Sequence, residues 1–145
     1  MTVLFDNDGL KIWIDGFSPI IFVKFNAMPS GKMDARSLIK KSRNAIQNIL
    51  SKVNNMYSVI DLSECGGKCS ETLLQYCFTC FPELLQEEVK YLAFVNCTSH
   101  KFAIGMQVQK LSHEKPHLRC ESFSDFFVAL NTINTIRQEQ IALPA

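Results

Sequence analysis

The sequence lacks a marked excess of charge of either sign. Its 15 lysines and arginines are nearly balanced by 14 aspartates and glutamates, which leaves a net charge of +1 over 145 residues. Proteins whose main partner is nucleic acid or an anionic membrane surface carry a large basic excess. We therefore expect no nucleic-acid partner.

Long apolar runs are also missing. The longest one of note is residues 19–23, whereas a membrane helix needs about 20 consecutive apolar residues. Residues 1–8 are acidic and have no long apolar centre, unlike a secretory signal. The sequence predicts no membrane span and a cytoplasmic protein.

What is present is the composition of an ordinary globular domain. Hydrophobic residues make up 47% of the chain and charged residues 20%, and a chain of this length buries a substantial core. No repeat, linker or shift in composition divides it. We expect one domain over residues 1–137, followed by a frayed tail at 138–145.

Alternation and turn residues predict the first strands and the first helix. Residues 10–14 and 20–25 are rich in β-branched and aromatic residues and flank a turn at 15–19, which is typical of a hairpin. Asp34 can cap a helix whose apolar positions recur every three or four residues as far as Val53.

Three further strands, each followed by a helix, are predicted in the rest of the chain. The strands cover residues 57–62, 90–95 and 118–120. The helices begin at Ser70, at 98–99 and after a capping box at 122–125, and Pro82 breaks the first of them. This order predicts an α/β fold whose mixed sheet has about five strands, with about four helices.

The residues from His113 to His117, HEKPH, match the letters of a zinc-protease helix. That motif binds zinc only when the five residues are helical, and Pro116 removes a backbone N–H and disfavours helix at Lys115. We interpret the segment as a solvated loop, and we predict no metal site.

A glycine-bearing loop, residues 63–70, separates the strand at 57–62 from the next helix. Gly66, Gly67 and Lys68 lie where nucleotide-binding proteins place a phosphate loop, but Leu62 and Cys69 replace two required residues. A weaker prediction remains: N–H groups at the start of the helix can hold an anion.

The six cysteines are interpreted as free thiols, because a core of this size needs no disulfides in a reducing compartment. Cys77 and Cys80 continue an apolar helical stripe and are expected in the core. Cys65 and Cys69 lie near a helix N-terminus, which lowers thiol pKa values, so they are possible reactive thiols.

Charge is concentrated in two segments of opposite sign. Residues 32–54 carry six cations and one anion, and residues 61–88 carry six anions and one cation. Two solvated helix faces explain this distribution. The alternative is a pair of complementary patches that steer a partner protein or a second copy of the chain.

Three segments resemble a known family. Residues 58–63 (SVIDLS), 92–95 (LAFV) and 123–130 (FSDFFVAL) are similar to the central strand, the next unit and the closing helix of STAS domains of anti-sigma-factor antagonists. They are more similar to the divergent SpoIIAA-like branch of that family. The resemblance covers nearly the whole chain and implies a STAS-like fold.

In sigma-regulating members, a kinase that is also the binding partner phosphorylates a serine at the start of the helix after the central strand. The resemblance places this switch at Ser70, where the usual Asp-Ser-Ser-Gly is replaced by Cys69-Ser70-Glu71-Thr72. An ordinary helix cap is the alternative role of Ser70. A phosphate there would add nearly two negative charges beside Glu64 and Glu71.

These observations predict a non-enzymatic regulatory module without a cofactor. Its partner is a protein, of the kinase or sigma-regulator type, or a second copy of the chain. The predicted contact surface is the 63–70 loop with the start of the next helix, namely Ser63, Glu64, Gly66, Gly67, Lys68 and Glu71. Two other hypotheses are a domain that binds a small apolar or anionic, lipid-like ligand, and a thiol or metal-dependent enzyme.

Overall fold

The fold is a single six-stranded sheet with helices packed against it. The computed structural model describes residues 2–7, 10–15, 18–25, 40, 43–44, 47–48, 56–64, 78, 89–95 and 101–142. The strands follow one another in the sheet in chain order, from β1 to β6.

The first three strands are antiparallel. They are β1 (Thr2–Asn7), β2 (Leu10–Asp15) and β3 (Ser18–Phe25). The pairing of β2 with β3 confirms the predicted hairpin. β1 lies at the edge of the sheet, outside β2, and adds a strand that the sequence did not predict.

The other three strands are parallel to β3 and to one another. They are β4 (Met56–Asp61), β5 (Val89–Val95) and β6 (Arg119–Phe123). β5 is almost entirely apolar and buried on both faces, as parallel strands covered on two sides are. The predicted α/β class and mixed sheet are confirmed.

Two helices are described in full, α1 (Lys101–Glu114) and α2 (Phe126–Ala142). α2 packs on β4, β5 and β6 and closes one face of the sheet, here called the α2 face. Alternate strand residues and the inner side of α2 form its core: Ile20, Phe22, Tyr57, Val59, Tyr91, Ala93, Val95, Ala129 and Ile133.

The opposite face, here called the α1 face, carries the other set of alternate residues. α1 packs mainly on β6 and buries Ile104, Val108 and Leu111. On this face the ring of Phe78 stacks on that of Phe94, with centroids 4.4 Å apart. The hydroxyl of Ser58 donates a hydrogen bond to the Ile21 carbonyl oxygen at 3.1 Å, so this polar group is buried at little cost.

The start of α2 differs from the predicted capping box. Ser122 lies in β6, and the cap is Asp125, whose Oδ1 accepts hydrogen bonds from the N–H groups of Phe127 (2.7 Å) and Val128 (3.3 Å). Pairing with β5 extends β6 to Phe123 and takes Ser122 into the sheet. α2 also continues beyond residue 137, to Ala142.

Two predicted helices fall largely outside the described residues. Within 34–53, the described residues are helical and exposed: Lys40, Arg43, Asn44, Gln47 and Asn48. Within the helix predicted from Ser70, Phe78 alone is described, and it is buried. No described helix is long and apolar enough to span a membrane.

Candidate functional site

The carboxyl ends of the four parallel strands meet at one edge of the sheet. Ligands of open α/β sheets bind at such an edge, usually where the strand order reverses and a crevice opens. Here β3, β4, β5 and β6 follow in chain order, so the described strands form no such crevice.

β4 delivers the chain to this edge through a fixed turn. Leu62 continues the ladder by donating its N–H to the Val95 carbonyl oxygen at 2.8 Å. Asp61 is only 6% exposed, and its Oδ1 accepts the Ser63 N–H at 2.9 Å. This Asx-type hydrogen bond turns the chain outward at Ser63.

The turn presents its next two residues to solvent. Ser63 and Glu64 are both exposed, and Glu64 Oε1 lies 3.2 Å from Lys24 Nζ on β3. Lys24 is the register partner of Asp61. The ion pair therefore ties the start of the loop to the neighbouring strand.

The structure describes two of the predicted contact residues, Ser63 and Glu64, and places both at the surface. The others lie outside the described residues: Gly66, Gly67, Lys68, Ser70 and Glu71. Their predicted roles, including the phosphorylation switch at Ser70, stay predictions.

One member of the predicted acidic patch does not belong to any surface. Asp61 was counted with the anions of residues 61–88, but its side chain is buried and holds a backbone N–H. Glu64 is exposed but already paired with Lys24. Arg43 and Lys40 of the basic segment are exposed, as either explanation of the charge distribution requires.

The zinc-motif segment adopts the predicted turn. α1 includes His113 and ends at Glu114, and the Leu118 N–H donates to the Lys115 carbonyl oxygen at 3.0 Å across a turn containing Pro116. The two histidines thus do not share one continuous helix. Within the described part of the chain, no three histidine, cysteine or acidic side chains cluster as metal ligands would.

The described thiol has none of the features of a nucleophile. Cys120 is 9% exposed, and burial raises its pKa to about 11, although a hydrogen bond with Ser112 opposes the shift. A thiol with a raised pKa is neutral and unreactive at physiological pH. Cys65 and Cys69 lie outside the described residues.

A buried tyrosine on the α2 face was not singled out from the sequence. Tyr91 is 1% exposed, and its hydroxyl has no partner in hydrogen-bonding geometry among the described residues. Burial is the main reason that its pKa is raised, and the nearby Glu121 carboxylate raises it further. Arg119 lies over the ring, 5.5 Å from its centroid. No pattern in the sequence marks this position, because the tyrosine is one of several large side chains in a mostly apolar strand.

Comparison with known proteins supports the fold. No protein-family model and no curated protein matches the chain. Its structure is similar to that of an uncharacterised protein of the DUF3478 family with a SpoIIAA-like fold, from Shewanella loihica PV-4. The TM-score is 0.56 and the identity 15%, over 84% of this chain and 90% of the other.

The chain has a SpoIIAA-like fold. The STAS-like fold that the sequence resemblance implied is thereby confirmed. At this identity the likeness concerns the fold alone. The turn at Asp61–Glu64 follows β4, the strand that resembles the central strand of the family. The sequence resemblance predicts the contact loop at this position.

Proposed function

We propose that this protein is a non-enzymatic, cytoplasmic regulatory module that binds a partner protein through residues 63–70 and the start of the next helix. The observation that carries the proposal is the outward turn at the end of β4. The buried Asp61 carboxylate fixes the turn, and exposed Ser63 and Glu64 begin the loop.

The surroundings of the turn favour recognition by surface contact. The ion pair between Lys24 and Glu64 holds the loop start against β3, so part of the contact surface is ordered before binding. A preorganised surface loses less conformational entropy on association. Phe22, Phe25 and Phe94 of the sheet are packed in the core, which favours protein binding over a lipid-like ligand.

Ser70 is the proposed control point of this surface. Phosphorylation there would add nearly two negative charges to a loop that already contains Glu64 and Glu71. The added charge would repel or recruit the partner.

The test is a comparison of partners captured by the full chain and by charge variants. Glu64→Lys and Ser70→Asp alter the proposed surface, and Thr135→Asp adds the same charge at an exposed position on α2. A partner retained by Thr135→Asp and lost with Glu64→Lys supports the surface. Altered capture by Ser70→Asp relative to Ser70→Ala supports the switch.

Two outcomes would overturn the proposal. If Glu64→Lys and wild type capture and bind the same proteins with equal affinity in calorimetry, the surface lies elsewhere. If native mass spectrometry of the purified chain shows a retained lipid or other small molecule, the ligand-binding hypothesis replaces it.

A further inference from the structure

We draw no further inference here: the strongest candidate, the surface patch that exposed Phe127 and Val128 form on the first turn of α2, carries nothing, because no feature of the described structure shows what covers it.

Discussion

At the scale of single residues, the described buried polar groups differ in whether they have a hydrogen-bond partner. Ser58 and Asp61 both have hydrogen-bond partners, whereas the Tyr91 hydroxyl lacks one among the described residues. An unmade hydrogen bond in the interior costs more than a made one contributes. Asp61 thus stabilises the edge, whereas the Tyr91 oxygen lies near the Glu121 carboxylate without a hydrogen bond of good geometry.

Removing the Tyr91 hydroxyl should stabilise the protein. We expect Tyr91→Phe to raise the free energy of unfolding by up to about 1 kcal/mol, because the ring keeps its packing and its contact with Arg119 while an unpaired polar atom is removed. Urea denaturation measures the change. Tyr57→Phe, at a position that is also buried but whose hydroxyl is not among the buried atoms without a hydrogen bond, is the control and should not stabilise. A loss of stability in Tyr91→Phe would show that the hydroxyl is bonded.

Asp61 is expected to contribute through its acceptor oxygen. Asp61→Ala should lower the free energy of unfolding by about 1.5 kcal/mol, because the Ser63 N–H loses its charged partner. Asp61→Asn keeps an oxygen at the same position and should lose less than half as much. Equal losses in the two variants would mean that the charge, not the hydrogen bond, matters at this turn.

At the scale of elements, a single side chain decides where α2 begins. The Asp125 carboxylate accepts hydrogen bonds from two backbone N–H groups in the first turn of α2. The donors belong to Phe127 and Val128, whose side chains are exposed. Asp125→Ala should cost about 1 kcal/mol, while Asp125→Ser keeps a capping oxygen and should cost only a few tenths. Thermal unfolding by circular dichroism measures both. Equal stability of wild type and Asp125→Ala would contradict the assigned cap.

The elements show which parts of the fold the sequence makes predictable. β4 and β5 are predictable because most of their residues are apolar or aromatic, and α1 and α2 because their apolar residues recur on one side. β1 is not predictable, since Asp6 and Asn7 break its alternation, and it becomes apparent from its pairing with β2. The choice of Asp125 over Ser122 as the cap depends on how far β6 pairs with β5.

The candidate site also has some features that the sequence predicts and others that it does not. That the chain leaves the sheet after Leu62, at its carboxyl edge, follows from an apolar strand ending before a glycine-bearing loop. The ion pair of Lys24 with Glu64 cannot be predicted from the sequence, because it depends on the register between β3 and β4. The burial of Asp61 is likewise a property of the packed sheet, and a count of charges along the chain cannot reveal it.

At the scale of the whole molecule, three contacting aromatic rings link the antiparallel strands of the sheet to the helix that packs on its parallel strands. Trp13 on β2 stacks on Phe22 with centroids 5.2 Å apart, and Phe22 contacts Phe126 of α2 at 5.9 Å. α2 in turn packs on β4, β5 and β6. The hairpin is therefore joined to the rest of the sheet both by hydrogen bonds and by one helix.

This linkage predicts a single cooperative unfolding transition. Trp13 is the only tryptophan in the chain, so its fluorescence reports on the hairpin, while circular dichroism in the far ultraviolet reports mainly on the helices. The two signals should give the same urea midpoint and the same slope.

Phe126→Ala removes one of the contacting rings and should lower both midpoints together. The expected loss of unfolding free energy is about 3 kcal/mol or less, because the side chain is only partly buried. A fluorescence midpoint below the dichroism midpoint, in wild type or in Phe126→Ala, would contradict this prediction. It would mean that β1, β2 and β3 unfold separately from the other strands and that the contacting aromatic rings do not couple the two parts.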